Sequence, residues 1–410
     1  MRILLVNKYF YIKGGAENSF FETAKLLEIY GHTVNFFSMH DKKNLPTKHS
    51  KYFVSNVEYD NPGVKQSIVA AGRLLYSWES RFNIEHLIRD QKPDIAHLNN
   101  IYHQISPSIL HSLKKNRVPI IMSLRDYKLV CASYSMLAHR KVCEKCARGA
   151  YFNCFKEGCV KNSKVKSLLN TIEMYLHHKI LHVYDLIDIF ISPSQFLKNK
   201  LQEMGFKGQI EVLPNFVNPD DFMPRYGSAE KTICYVGRLS KEKGVATLIE
   251  AMKFFPRLQL KIIGDEPLRG ELEGKCRNDK IKNVSFLGYQ TGEDLKRKIS
   301  SSLFMVIPSE WYENNPRSVI EAFALGKPAV GARIGGIPEL VRDGETGYMF
   351  EPFNVIDLAA KIRLLADDPA GIERMGRNAR RLVEEDLNAE KHYQGLMNIY
   401  QYAINKNRGR

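Results

Sequence analysis

Short apolar runs alternate with longer amphipathic stretches along most of the chain. The runs at residues 3–6 and 303–307 are brief and continuously hydrophobic, which is typical of strands buried on both faces of a parallel sheet. The stretch at residues 16–30 instead has helical spacing and stops at Gly31, a residue type that often ends helices. An alternation of this kind predicts an α/β fold.

These patterns predict a series of elements and a division into domains. Strands are predicted at residues 3–6, 31–37, 94–97, 119–123, 188–192, 233–236, 260–263, 284–287 and 303–307. Helices are predicted at residues 16–30, 164–184, 318–325 and 389–405, with two more within residues 354–385. A chain of 410 residues is long enough for two domains. We place the first at residues 1–192, with a cysteine-rich insertion at about 131–163, the second at 193–388, and a final helix at 389–410.

The stretch at residues 61–92 has a mixed pattern. Ile68, Trp78 and Phe82 contribute apolar side chains, whereas Arg73 contributes charge. This pattern fits either a packed pair of helices or a helix that lies on a membrane surface. We favour core packing, because the apolar face of an amphipathic helix in a globular protein usually faces the core.

Composition and charge narrow the class of protein. With 44% hydrophobic and 26% charged residues, the chain has the balance of a globular protein, and no stretch reaches the length of a transmembrane helix. The apolar part of residues 1–8 is too short for a signal peptide, which predicts a cytoplasmic location. The formal net charge of +15 suits nucleic acid, an anionic membrane or an anionic substrate. No nucleic-acid-binding motif is present, so we favour peripheral contact with an anionic membrane over a nucleic-acid partner; a pure solubility role is the alternative.

Two glutamates eight positions apart flank a predicted helix start. Glu313 follows the predicted strand at 303–307, and Glu321 lies in the predicted helix at 318–325. Ligands of α/β sheets bind at this carboxyl edge. The helix start offers free N–H groups to a phosphate, and the carboxylates accept hydrogen bonds from sugar hydroxyls. The combination indicates a nucleotide-sugar site, although a solvated and a capping glutamate would give the same spacing.

Two other predicted strands also end in loops that suit phosphates. Gly14 and Gly15, with Glu17 close behind, join a predicted strand to a predicted helix, which is the arrangement of a phosphate cradle. Arg238 and Lys243 lie five residues apart on the loop after the strand predicted at 233–236, and together they can neutralise a diphosphate. A plain tight turn and solvated basic side chains are the alternatives.

These motifs occur in a fixed order that resembles a known family. The two glutamates are followed by Gly-Gly-Ile-Pro-Glu at residues 335–339 and Asp-Gly-Glu-Thr-Gly at 343–347, and they are preceded by Gly-Arg-Leu-x3-Lys-Gly at 237–244. Residues 214–218 are similar to the hinge that precedes the second domain. Over nearly its whole length the chain resembles retaining glycosyltransferases of the GT-B fold in family 4 (glycosyl transferases group 1). The resemblance implies two Rossmann-like, doubly wound domains that face each other across a cleft, with the final helix crossing back to the first domain.

The resemblance also implies an activity. The second domain would bind a nucleotide diphosphate sugar, a UDP- or GDP-sugar, and the first would bind the acceptor. Transfer of a hexose or related sugar would retain the anomeric configuration and need no metal or other cofactor, as in a hexosyltransferase of the EC 2.4 class. We favour a lipid-linked saccharide acceptor in cell-surface polysaccharide synthesis. The alternatives are a non-catalytic GT-B protein that binds nucleotide or saccharide, and a nucleotide-sugar 2-epimerase.

Site residues follow from the positions that match the family's motifs. Catalytic roles are implied for Glu313, Arg238, Lys243 and Arg125. Donor binding is implied for Gly14, Gly15, Gly237, Arg238, Lys243, Gly264, Asn314, Asn315, Pro316, Arg317, Ser318 and Glu321. Acceptor contacts are implied for Glu17 and Asp126. Arg125 stands where the family often has histidine; an arginine cannot act as a base, but it can hold a developing phosphate charge or an acidic acceptor.

Five of the seven cysteines fall in one stretch, where Cys131 precedes Cys143, Cys146, Cys154 and Cys159. Clustered cysteines in a chain predicted to be cytosolic favour a metal site over disulfides, and the last four thiolates can complete a tetrahedral zinc shell. Free thiols or a conditional disulfide are the alternatives. A four-thiolate shell has no open position, so the predicted zinc is structural. Basic and aromatic neighbours indicate a flap at the acceptor side of the cleft.

Overall fold

The computed structural model describes residues 1–57, 72–139, 141–227 and 230–408. Its strands are β1 (Arg2–Val6), β2 (Thr33–Phe37), β3 (Ile95–Asn99), β4 (Ile120–Ser123), β5 (Leu137–Ala138), β6 (Lys141–Val142), β7 (Ile189–Ser192), β8 (Ile210–Val212), β9 (Thr232–Val236), β10 (Gln259–Ile263), β11 (Val284–Phe286), β12 (Met305–Ile307), β13 (Ala329–Ala332) and β14 (Gly347–Phe350). Its α-helices are α1 (Gly15–Ile29), α2 (Trp78–Gln91), α3 (Ile109–Lys115), α4 (Phe152–Glu157), α5 (Lys164–Tyr175), α6 (Gln195–Glu203), α7 (Val245–Ala251), α8 (Arg269–Asn278), α9 (Gly292–Ser300), α10 (Arg317–Ala324), α11 (Ile337–Leu340), α12 (Val355–Ala366), α13 (Pro369–Asp386) and α14 (Ala389–Arg408). Each predicted strand is present, with ends within two residues of the prediction.

Two six-stranded parallel sheets form the centres of two domains. The strand order is β2-β1-β3-β4-β7-β8 in the first sheet and β11-β10-β9-β12-β13-β14 in the second. In the first sheet β1 lies between β2 and β3, and in the second β9 lies between β10 and β12. The strand order reverses at these two places, and a crevice for a ligand opens there at the carboxyl edge. The predicted pair of doubly wound, Rossmann-like domains is confirmed.

The first domain extends past residue 192, where we predicted its end. Strand β8 pairs in parallel with β7, so residues up to Val212 belong to the first sheet. The reason is a strand–helix–strand crossover, in which α6 returns the chain to lay β8 beside β7. The hinge follows, and the backbone N–H of Val217 bonds to the carbonyl of Leu387 at 3.1 Å. The two chain segments that join the domains therefore lie side by side.

Helix α14 crosses back and packs on the first sheet, in agreement with the predicted final helix at 389–410. Its side chains Leu396 and Tyr400 share a buried cluster with Ile3 and Leu5 of β1. The Tyr400 hydroxyl lies 2.8 Å from Nδ1 of His97, whose Nε2 lies 2.7 Å from Ser123 Oγ. Burial lowers the pKa of His97 to about 3, so the imidazole is neutral and serves as a structural hydrogen-bonding group.

Two predicted helical stretches differ in detail from the structure. Of the stretch at 61–92, residues 61–71 lie outside the described residues. Helix α2 buries Ile84 and Leu87, as core packing predicts, but it leaves Trp78 and Phe82 72% and 62% exposed, so only part of the predicted apolar face packs on the core. The helix predicted at 164–184 is α5, which continues as a π-helical turn over Leu176–Ile180 and then ends. Within the described ranges, no helix combines the length and apolarity that crossing a bilayer requires.

Candidate active site

Two loops of the second domain lie side by side because β9 and β12 are neighbours in the sheet. The loop after β9 carries Arg238 and Lys243, and the loop after β12 carries Glu313. Gly244 permits their close approach: its φ is 65°, and a Cβ there would lie 1.9 Å from the carbonyl oxygen of Pro308. Gly264 has the same role beside Gly237, where a Cβ would lie 1.8 Å from the carbonyl oxygen. A side chain at either position would push apart the loops that form the site.

An ion pair joins these loops. The Lys243 ammonium lies 2.6 Å from Oε1 of Glu313, and the Ser309 hydroxyl donates to the same oxygen at 2.6 Å. Burial alone would raise the pKa of Glu313, but the Lys243 charge and these hydrogen bonds hold that pKa below its ordinary value. Glu313 is therefore a buried carboxylate that fixes the position of the Lys243 cation, and both predicted catalytic residues belong to one unit.

Arg238 behaves differently from Lys243. Its side chain is 72% exposed, and its guanidinium lies 3.6 Å from Oε1 of Glu242. An exposed pair of this kind is weak, so little energy holds the guanidinium in place. Arg238 can therefore swing toward a bound diphosphate, whereas Lys243 is already positioned.

The start of α10 reaches across to the first domain. Arg317 Nε donates to Oε1 of Glu321 at 2.8 Å, and the same guanidinium forms a two-pronged ion pair with Glu22 of α1. Pro316 caps this helix start, so Ser318 presents a first-turn N–H group there. The structure thus brings four predicted donor residues together, and it adds Glu22, which no sequence motif indicates.

Arg125 lies on the opposite wall of the cleft, directly after β4 and Leu124. Its Nη1 donates to Oδ1 of Asn215 at 3.0 Å and its Nε to Oδ1 of Asn99 at 3.3 Å. Burial lowers the Arg125 pKa to about 10, so the guanidinium remains charged near pH 7, and the nearby Glu17 carboxylate favours that charge. Arg125 is therefore a cation that two amide oxygens hold in place at the carboxyl edge of the first sheet.

Hydrogen bonds close the cleft at this point. Asn314 Nδ2 donates to the carbonyl of Arg125 at 2.9 Å, and Asn215 Nδ2 donates to the carbonyl of Asn315 at 2.9 Å. Asn215 was not among the predicted site residues, although it belongs to the hinge motif at 214–218, which was the signal for it. Predicted residues from both halves of the chain, Arg125 in the first domain and Asn314 and Asn315 in the second, therefore lie together.

The glycine turn of the first domain lies at the start of α1, just before Glu17. Gly15 begins α1, and a Cβ on Gly15 would meet no heavy atom within 4 Å. Glu17 in the first turn is buried, and this burial raises its pKa. The backbone at Gly15 is therefore open to approach by a ligand, and the phosphate cradle at Gly14 and Gly15 stays a prediction.

A cavity of about 480 Å³ lies between the cysteine-rich insertion and the second domain. The insertion lines it with His139, Glu157 and Asn162, and the second domain lines it with Glu242 and Glu310. Imidazole, amide and carboxylate groups form hydrogen bonds with hydroxyls. This lining can orient a saccharide next to the loop that carries Lys243.

The predicted zinc shell of Cys143, Cys146, Cys154 and Cys159 is not assembled. Among the residues that the structure describes, no three His, Cys, Asp or Glu side chains are arranged to hold a metal ion. The thiols are nonetheless near one another: a hydrogen bond with Cys159 lowers the pKa of Cys154, and burial raises the pKa of Cys146 to about 12. The residues as placed do not fit a four-thiolate centre, so zinc binding stays a prediction.

The buried carboxyl group of Asp126 leads us to expect that kcat/KM depends on pH. Burial raises its pKa to about 6, although the backbone N–H of Lys128 donates to its Oδ1 at 2.9 Å. In its predicted role as an acceptor contact, the Asp126 carboxylate would lose this function on taking up a proton. We expect kcat/KM to fall as the pH drops through about 6, and we expect an Asp126→Asn variant to lack this step between pH 5 and 8.

Loss of the folded state at low pH does not explain the expected fall in kcat/KM. A carboxyl pKa raised on folding means that the folded state binds the proton more tightly, so this group adds stability as the pH falls from about 6 toward 4. An unchanged step in Asp126→Asn would assign the titration to another group.

Comparison with known proteins agrees with this geometry. The profile described as Glycosyltransferase Family 4 matches residues 13–221, and the profile described as Glycosyl transferases group 1 matches residues 220–382. The chain is 28% identical to an uncharacterized 42.6 kDa protein in the cps region of Klebsiella pneumoniae, over 87% of this chain and 92% of that protein. It is 30% identical to the sulfoquinovosyl transferase SQD2 of Arabidopsis thaliana over 48% of this chain, and the match spans 41% of that longer relative.

Solved structures share the fold at low sequence identity. Sucrose-phosphate synthase from Thermosynechococcus elongatus superposes with a TM-score of 0.73 at 19% identity, over 99% of each chain. HepE of Anabaena, in complex with UDP and glucose, superposes with a TM-score of 0.68 at 16% identity, over 98% of this chain and all of that one. The chain has the GT-B architecture and belongs to glycosyltransferase family 4, whose members are transferases of the EC 2.4 class.

Proposed function

We propose that this protein is a retaining glycosyltransferase that moves a hexose or related sugar from a UDP- or GDP-sugar to a lipid-linked saccharide. The observation that carries the proposal is the Lys243–Glu313 pair at the carboxyl edge of the second sheet, opposite the buried cation of Arg125. A positioned cation at the carboxyl edge of each sheet suits a diphosphate. The HepE complex with UDP and glucose supports the class of donor, and the relative in a cps region supports a role in cell-surface polysaccharide synthesis.

In this proposal the donor diphosphate lies on the start of α10. The first N–H groups of that helix, the Lys243 ammonium and the mobile Arg238 guanidinium stabilise the negative charge that develops as the sugar–phosphate bond breaks. The acceptor hydroxyl forms its new bond to the same face of the sugar, and its proton passes to the departing phosphate oxygen. Lys243 and Arg238 take the part that a catalytic metal has in other enzymes, so no cofactor is proposed for the chemical step.

Closure of the cleft belongs to this mechanism. The Arg317–Glu22 ion pair and the Asn215–Asn315 hydrogen bonds join the two domains around the site. Charged groups act most strongly when water is excluded. Because the contacts lie beside the hinge, donor entry and product release require the domains to separate. We place this cycle of opening and closing at the cytoplasmic face of a membrane.

Thermal unfolding in the presence of UDP, GDP, ADP and dTDP tests the donor site. One nucleotide at a hundred times its dissociation constant should add about 2.7 kcal/mol to the free energy of unfolding. We expect UDP or GDP to raise Tm and EDTA to leave that rise unchanged. A fall in Tm with EDTA in the absence of nucleotide would support the structural zinc, and no response to any nucleotide would contradict the donor site.

Product analysis then separates the classes of activity. A retaining transferase consumes an acceptor and releases a nucleoside diphosphate. A 2-epimerase would return an isomerised nucleotide-sugar with no acceptor consumed, and a non-catalytic binding protein would release no diphosphate from any donor. Either of these two results would contradict the proposed function.

A further inference from the structure

Helix α5 is oriented with its polar side inward. Its buried residues include Ser167, Asn170 and Glu173, whereas Leu168 and Ile172 are 43% and 48% exposed. The exposed stripe also includes Val165, at 79%, and Ile180 in the π-helical turn, at 69%. A surface helix of a globular protein normally has the opposite arrangement, with its apolar stripe toward the core.

Buried polar contacts hold α5 in this orientation. Glu173 pairs with Lys128, and neither side chain is exposed to solvent. The Nε2 atom of His177 lies 2.8 Å from the carbonyl oxygen of Leu75, and the Thr171 hydroxyl donates to the carbonyl of Tyr151 at 3.3 Å. A rotation that buried the apolar stripe would break these bonds and leave a buried carboxylate unpaired, so the stripe stays exposed.

The neighbouring helix α4 enlarges the exposed apolar surface. Phe152 and Phe155 are 44% and 40% exposed. The Lys156 ammonium lies 4.8 Å from the centre of the Phe152 ring, and the Lys164 ammonium lies 5.6 Å from that of Phe155. We call the exposed side chains of these two helices the apolar ridge: Phe152, Phe155, Val165, Leu168, Ile172 and Ile180.

The charged side chains near the apolar ridge indicate which kind of partner fits it. Five exposed lysines lie in the same segment of the chain: Lys156, Lys161, Lys164, Lys166 and Lys179. Two of them, Lys156 and Lys164, contact the aromatic rings of the ridge. Residues 152–182 are all described; Glu173 within them is buried, and Glu157 is ion-paired with Lys145 at 2.6 Å. Apolar and aromatic side chains beside lysines are typical of surfaces that lie in the interface of an anionic bilayer. A second copy of the chain would bring two sets of lysines together, which disfavours it.

We propose that the apolar ridge docks on an anionic lipid bilayer. The inference deepens the proposed function, because a lipid-linked acceptor would then meet the enzyme at the membrane surface. Glu157 and Asn162, which lie close to the ridge in sequence, line the 480 Å³ cavity beside the donor loops. Docking therefore places the wall of that cavity near the bilayer, where the saccharide of a lipid-linked acceptor would be.

Vesicle co-sedimentation of the whole chain tests the proposal. The probes are vesicles of phosphatidylcholine alone and vesicles of equal parts phosphatidylcholine and phosphatidylglycerol. We expect binding to the anionic vesicles and at least tenfold weaker binding to the neutral ones, since each lysine near an anionic surface is worth about fivefold in affinity. Equal binding to both vesicles, or binding to neither, would overturn the proposal.

Matched variants locate the surface. Leu168→Ser/Ile172→Ser should weaken binding to anionic vesicles at least tenfold, whereas Met223→Ser/Ile356→Ser, which alters two side chains 82% and 66% exposed on the second domain, should leave it unchanged. All four side chains are exposed, so both variants should fold. An equal loss in both variants would overturn the proposal.

Two further measurements separate the remaining interpretations. A wild-type dimer in size-exclusion chromatography that Leu168→Ser/Ile172→Ser converts to monomer would overturn the membrane proposal in favour of a second copy. The nucleotide-dependent rise in Tm should be the same in Leu168→Ser/Ile172→Ser as in wild type. Vesicle binding without any nucleotide response would contradict the proposed function and leave the docking surface standing.

Discussion

Lys243→Ala lowers kcat by about 100- to 1,000-fold in the transfer reaction, which is the largest effect that we expect of a single substitution on activity. Lys243 is already held at 2.6 Å from Glu313, so it is preorganised for the charge that develops on the departing diphosphate. An interaction that strengthens in the transition state changes kcat more than KM. Lys243→Arg keeps the charge and should recover part of the loss.

The controls for this variant address folding and specificity. Removal of the Lys243 ammonium leaves the Glu313 carboxylate buried and unpaired, which also reduces stability. Rates are therefore measured well below Tm, and Lys243→Ala/Glu313→Gln is measured beside the single variant; its stability should recover while kcat stays low. Lys282→Ala removes an exposed lysine and should have no effect on kcat. A kcat near the wild-type value in Lys243→Ala would remove Lys243 from the catalytic site.

Lys128→Met reduces the free energy of unfolding by about 3–5 kcal/mol, the largest loss of stability that we expect. Lys128 and Glu173 are a fully buried ion pair. Burial alone would raise the pKa of Glu173, but the Lys128 charge holds that pKa well below its ordinary value, so the partner left behind is a carboxylate. Urea denaturation followed by circular dichroism measures the loss.

The paired variant distinguishes the two sources of that loss. Lys128→Met/Glu173→Leu replaces both charges with apolar groups, and we expect it to recover most of the stability, because a buried ion pair is often matched by apolar packing. Lys282→Met controls for loss of a lysine in general. A loss below about 1 kcal/mol in Lys128→Met would mean that Glu173 is not held as a carboxylate by Lys128.

The sequence predicted nine of the twelve strands in the two parallel sheets, because strands buried on both faces are nearly continuous apolar runs, as residues 3–6 and 260–263 are. Strands β13 and β14 of the second sheet were not predicted. Strand β8 of the first sheet was missed because it has three residues, and Glu211 is one of them. The first domain was therefore ended too early. Short edge strands of this kind are recognised from pairing in three dimensions and not from an apolar pattern.

The residues of the candidate site could be predicted one by one, but the contacts between them could not. Lys243 and Glu313 each came from a motif, but their ion pair joins residues seventy positions apart and depends on β9 lying beside β12. Glu22 was missed because a glutamate on a helix carries no signal of its partner. The orientation of α5 was not predictable either, since its apolar stripe predicts a face toward the core.

The packing of α14 on the first sheet has a consequence for the order in which the protein is made. Ile3 and Leu5 are covered by Leu396 and Tyr400, which are synthesised about 400 residues later. At translation rates of 5–20 residues per second, one face of the first sheet lacks its covering helix for about 20–80 s. The domain that is synthesised first is therefore the domain that is completed last.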